Sequence, residues 1–148
     1  MEIIKIFSSL LTPIIALLAV YIAYQQYLIG KNKLKFELYE KRYLIYQHTK
    51  KILFKITQKG KIEEQELIRF INISRESNFL FNNDITDYLK KLSANAGNLN
   101  DLTKEMNKSN DPYASKIKKE RNKLFSWIVD EYESVESRFI KYLDFKKL

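Results

Sequence analysis

Apolar positions along this chain follow two kinds of pattern. Residues 6–30 form an uncharged run whose apolar centre spans about 10–24, with Ser8, Ser9, Gln25 and Gln26 at its shoulders. Beyond residue 30 the apolar positions recur every three or four residues, as amphipathic helices require. The first stripe is Leu34, Leu38, Ile45, Thr49, Ile52 and Ile56, widened by Tyr39, Tyr46 and Leu53. It predicts a helix over about 31–58 that continues from the apolar run, with Gly30 as a bend. A second helix is expected over about 62–76, its acidic start suited to a helix N-terminus. The pattern then breaks. Phe79, Leu80 and Phe81 are expected to plug the end of the core, and Asn83 or Asp84 to cap the next helix. A third helix over about 84–107 aligns Ile85, Tyr88, Leu89, Leu92, Ala96, Leu99 and Met106. A loop follows, with Asp111 as cap and Pro112 in the first turn of a fourth helix over about 112–145. That helix aligns Ile117, Leu124, Ile128, Tyr132, Val135, Phe139 and Tyr142. The expected fold class is all-α: a transmembrane anchor at 1–30 continuing into a cytoplasmic four-helix bundle at 31–148.

About 20 helical residues cross the ~30 Å hydrocarbon layer, so the uncharged run is long enough to span it. A cleaved signal peptide would have a basic start, a shorter apolar region and a small-x-small cleavage site. Here only Lys5 precedes a long segment, so an uncleaved helix is expected. Charge then sets the orientation. The chain carries 26 Lys and Arg against 18 Asp and Glu, net +8. The excess is local: ten of those cations and only two carboxylates lie in residues 31–61. Basic residues stay on the cytoplasmic side. The expectation is therefore a single pass through the inner membrane, with the N-terminus outside and the C-terminal domain in the cytoplasm. Tyr21, Tyr24 and Tyr27 fit an interfacial aromatic belt. Lys31, Lys33 and Lys35 are expected to meet anionic lipid head groups, the simpler partner for this block than nucleic acid.

One face of the membrane segment is small or polar throughout: Ser9, Thr12, Ala16, Ala19, Ala23 and Gln26, at spacings of three and four. Small residues let helices approach closely in lipid, and polar ones bond across the contact. This face is the expected homo-oligomer interface, and Gln25 and Gln26 are candidates to line a central path. Pro13 is a candidate kink that neighbouring helices can tolerate.

Candidate chemistry is sparse. The absence of cysteine excludes disulfides and thiolate ligands, and one histidine argues against zinc. No metal site or cofactor is expected. No phosphate-binding glycine loop, HExxH or nucleophile elbow occurs. Acidic pairs such as Glu63–Glu64, Asp130–Glu131 and Glu133–Glu136 read as solvated helix faces, as does the basic stretch at 116–123 except for Arg121, which falls on the apolar stripe.

The one catalytic candidate is Arg42 with His48, in the stretch RYLIYQH, an Arg–His spacing used by HEPN-type ribonucleases. Six helical steps of about 100° leave the two side chains about 120° apart, so in an unbroken helix they diverge. Arg42 falls inside the apolar stripe, where a guanidinium is costly unless paired. Asp130, Glu133 and Glu136 are its expected partners in a buried ion pair, and His48 is expected to be an exposed helix residue.

The N-terminal helix, the juxtamembrane KLKFELYEKRYLIY at 33–46 and NFLFNNDITDYLKKL at 78–92 resemble small bacterial membrane-anchored proteins found near antiviral-defence genes. More specifically, the layout is similar to the HEPN-like membrane accessory proteins of type VI-B CRISPR systems. That resemblance implies a helical HEPN-like domain and a ring-shaped pore assembly. It also implies a catalytic pair late in the domain, whereas no histidine follows residue 48. The functional expectation is a non-enzymatic, membrane-permeabilising effector or accessory in antiviral defence. The alternatives are a membrane-tethered ribonuclease acting through Arg42 and His48, and an anchor for a cytoplasmic defence protein.

Overall fold

The computed structural model describes the backbone of residues 2–108 and 114–144, and the side chains of 11–107 and 115–144. The roles expected of the Ser9, Asp111 and Pro112 side chains lie outside the described residues. Within them the chain is helical and contains no strand. Four α-helices occur: α1 (Glu2–Lys59), α2 (Glu64–Glu76), α3 (Asn83–Lys108) and α4 (Ala114–Phe139). Two single 3-10 turns, Ser77–Phe79 and Ile140–Tyr142, follow α2 and α4. The chain divides into two compact units, Met1–Glu37 and Leu38–Leu148, and α1 contributes to both.

The first unit is helix alone. Gly30, expected as a bend, is helical, and Pro13 also lies inside α1. Every side chain from 11 to 27 is exposed. The helix is long and apolar enough to cross a membrane, by length and composition. Leu34, assigned to the core stripe from its spacing, is instead 69% exposed.

The second unit has one core. Its residues come from all four helices, among them Leu53 and Ile56 of α1, Phe70 of α2, Leu89, Leu92 and Leu99 of α3, and Ile128 and Phe139 of α4. Phe139 is an aromatic centre, with the rings of Tyr46, Phe81 and Tyr88 at 5.6, 5.5 and 6.4 Å. Thr49 belongs to the apolar stripe without penalty, because its buried hydroxyl donates to the Ile45 carbonyl at 2.8 Å.

The α1–α2 connection is fixed by three residues. Gly60 ends α1 in the left-handed region, φ 67°, and its N–H donates to the Ile56 carbonyl at 2.8 Å. Arg121 of α4 donates to the Gly60 carbonyl at 3.0 Å and to the Thr103 hydroxyl at 3.1 Å. Asn100 of α3 grips Ile62 from both sides, accepting from its N–H at 3.0 Å and donating to its carbonyl at 2.6 Å. A Cβ on residue 60 would sit 2.9 Å from the Arg121 guanidinium, in a backbone conformation that L side chains avoid. Gly60→Ala is therefore expected to cost about 1–3 kcal/mol, read as a lowered thermal midpoint of the full chain.

Two carboxylates depart from their expected roles. Glu131, read as solvated, is buried at 7% exposure, and Arg138, two turns along the same face, holds both its oxygens at 2.9 and 3.0 Å. The same guanidinium lies 4.7 Å from the centre of the Tyr88 ring. Burial, with the Glu131 carboxylate, pushes the Tyr88 hydroxyl well above its ordinary pKa. Asp84 sits in the first turn of α3 and accepts from Lys141 Nζ and from the Tyr142 hydroxyl, both at 2.6 Å. The N-cap position falls to Asn82, whose carbonyl accepts the Thr86 N–H at 3.3 Å. The hydrogen bond from Lys141, then that from Tyr142, hold the Asp84 carboxyl below the usual carboxylate range. A carboxyl lowered on folding stabilises the protein above its unfolded pKa, about 3.9, and ceases to do so as pH falls through the lower folded value. The thermal-midpoint gap between wild type and Asp84→Asn should thus be full at about pH 6 and close below about pH 4.

Candidate functional site

In the first unit, Thr12, Ala16, Ala19, Ala23 and Gln26 are all exposed, so the small and polar face of α1 is bare along the described part of the helix. Large apolar side chains cover the remaining faces, among them Leu17 and Val20. Gln25 donates to the Tyr21 hydroxyl at 3.1 Å, one turn earlier. That bond gives the Gln25 amide one partner on its own helix. Lys31 and Lys33 are exposed and Lys35 is half-buried, with Lys33 4.0 Å from Glu37. These exposed cations are suited to anionic head groups, and the bare apolar surface to lipid or a second helix.

In the second unit, Arg42 and His48 occupy different surroundings. Arg42 does not meet a carboxylate of α4, which corrects the ion pair expected from the sequence. Its Nε donates to the Leu80 carbonyl at 2.8 Å and Nη1 to the Tyr142 carbonyl at 3.4 Å. Its guanidinium carbon lies 5.7 Å from the centre of the Phe81 ring and 5.5 Å from that of Tyr142. Burial lowers the Arg42 pKa from its ordinary value, with a nearby Tyr142 hydroxyl opposing the shift. The carboxylates assigned to it stand apart: Glu136 pairs with Lys50 at 3.8 Å, while Asp130 and Glu133 are exposed. The guanidinium thus ties α1 to the main chain at the C-terminal end of each 3-10 turn, Leu80 just past the first and Tyr142 closing the second.

His48 is half-buried rather than exposed, at the junction of two depressions between α1 and α2. One, of about 440 Å³, is mainly apolar, with Leu44, Ile45, Ile73, Phe79 and Leu80 in its lining. The other, of about 100 Å³, holds Lys51, Lys55, Glu66 and Arg69. His48 and Ile73 belong to both. Lys55 is ion-paired with Glu66, which that bond holds below its ordinary carboxylate pKa. Arg42 lines neither depression, so the described structure does not bring the Arg–His pair onto one groove.

Sequence reasoning missed two members of this site. Phe79, expected to plug the core, is 89% exposed, while Phe81 two residues on is buried. Arg69 lies one turn before Ile73 on α2, a spacing visible in the sequence, but the face of α2 that meets α1 is not. Among the described residues no cluster of His, Cys, Asp and Glu is arranged to hold a metal ion.

No family model matches the chain, and comparison with curated proteins and with solved structures finds no match.

Proposed function

We propose that this chain is an oligomeric single-pass membrane protein that permeabilises the inner membrane, as an effector or accessory of antiviral defence. The observation that carries the membrane part is the bare apolar length of α1 with its face of Thr12, Ala16, Ala19, Ala23 and Gln26. In water such a surface is costly. In lipid the large apolar side chains are solvated, and the small face is the part that gains most from a second copy. Gln25 and Gln26 at its inner end supply the polar groups of a path through the assembly. The basic residues from Lys31 onward keep the following domain, read as a helical bundle, in the cytoplasm. The defence setting comes from the resemblance of layout alone.

The ribonuclease reading has less support, because Arg42 is engaged by two main-chain carbonyls and His48 lies in a different groove. The discriminating experiment reconstitutes the full chain in phosphatidylglycerol-containing liposomes loaded with a quenched dye. Release that rises steeply with protein density, and that persists in His48→Ala, is the expected result. Vesicles that stay sealed at high density would overturn the proposal. A swap of residues 6–30 for an unrelated single-pass helix is expected to abolish release, whereas a simple anchor would survive it.

A further inference from the structure

We propose that the two adjoining depressions between α1 and α2 together bind one free fatty acid, with its acyl chain along Leu44, Ile73, Phe79 and Leu80 and its carboxylate at Lys51 and Arg69. This inference goes beyond the pore reading and does not depend on it. Three observations converge. First, the apolar limb of about 440 Å³ lies within the ~300–1,000 Å³ typical of small-molecule sites. Second, the limb shares His48 and Ile73 with the charged depression, so the two together are apolar at one end and cationic at the other. Third, the charges there do not cancel. Glu66 pairs with Lys55 and also feels the charge of Lys51, so three cations of this lining share one carboxylate, and among the described residues neither Lys51 nor Arg69 is within ion-pair distance of another. A free carboxylate satisfies those two cations, and Arg offers it a two-pronged geometry. His48 stands at the joint and presents a ring N–H in either protonation state. The apolar limb carries one charge of each sign, Lys41 and Glu76, so it has no comparable excess.

The 89% exposure of Phe79 also has a place in this account. An exposed phenylalanine beside an open apolar channel gains burial when a chain lies against it. A peptide would also find apolar surface here. It would not need two spare cations at one end with no carboxylate left to match them.

His48 is the single histidine, so its ring gives one set of NMR signals from the full chain. The test follows those signals in histidine-labelled protein in a non-ionic detergent, against laurate expressed as a mole fraction of the micelle. Dodecanol supplies the chain without the charge, and acetate the charge without the chain. The expected result is a saturable shift with laurate, at least about tenfold weaker binding of dodecanol, and no shift with acetate. Lys51→Ala with Arg69→Ala should weaken laurate about tenfold, and Phe79→Ser should weaken laurate and dodecanol alike. Lys118→Ala with Lys119→Ala, an exposed pair elsewhere, should change nothing. Signals unmoved by laurate would overturn the proposal. So would shifts that dodecanol reproduces at equal strength, or that survive loss of Lys51 and Arg69. Signals that move only with protein concentration would assign the groove to a second copy and overturn it too.

Discussion

Replacing Ala16 and Ala23 with leucine is expected to reduce vesicle leakage at least about tenfold while leaving membrane insertion intact. Leucine is more apolar than alanine, so the helix still partitions into lipid. What changes is distance: two added isobutyl groups on the small face stop the backbones from approaching. Separated backbones would also lose the bonds that Thr12 and Gln26 can make across the contact, about 0.6 kcal/mol each on average in lipid, and a total of about 1.4 kcal/mol around an assembly is a factor of ten. Leu18→Phe is the control, because two helical steps place it about 200° from Ala16. It should leave leakage unchanged. Equal losses in both variants would show that bulk anywhere on the helix is harmful and that the face has no special role.

The second large effect concerns Arg42. Arg42→Leu is expected to destabilise the second unit, Leu38–Leu148, by about 2–4 kcal/mol, since hydrogen bonds from a charged donor contribute about 1.5–3 kcal/mol each. The bond to Leu80 at 2.8 Å carries most of this, and the one to Tyr142 at 3.4 Å less. Leucine restores apolar volume but leaves both carbonyls without a donor. Arg42→Lys should recover only part of the loss, because an ammonium cannot span both carbonyls as the planar fork does. The thermal midpoint of the full chain reads both. A midpoint unchanged in Arg42→Leu would mean that the guanidinium is dispensable for folding and free for another role. His48→Ala, which removes no hydrogen bond recorded in the structure, should shift the midpoint little.

The helices themselves were legible because periodicity is a direct imprint of burial. Ile85, Leu89, Leu92, Ala96 and Leu99 on α3, and Ile128, Val135 and Phe139 on α4, sit in the core as their spacing requires. Residues 11–27 of the N-terminal apolar run are likewise exposed helix. The errors share a cause: each involves a partner that a side-chain pattern does not show. Arg42 was matched to carboxylates because carboxylates are visible in a sequence. Its acceptors are backbone carbonyls, freed where the chain leaves a 3-10 turn. Phe79 and Phe81 look alike in the pattern, but the 3-10 turn at Ser77–Phe79 rotates them differently and leaves one out. Glu131 looked like one of four surface acids on α4, yet Arg138 follows two turns later and lets it be buried. Leu34 kept the stripe's spacing beyond the point where the core of the second unit extends. The groove beside His48 depends on which face of α2 meets α1, a choice that Leu67, Phe70 and Ser74 make only in three dimensions.

The proposed function requires self-association, and the mass of the detergent-solubilised full chain tests it most directly. Mass photometry or light scattering with the detergent contribution subtracted is sufficient. A closed assembly of about six or more chains, lost in Ala16→Leu with Ala23→Leu, is the predicted result. A monomer or dimer that stays so at high protein density would contradict it.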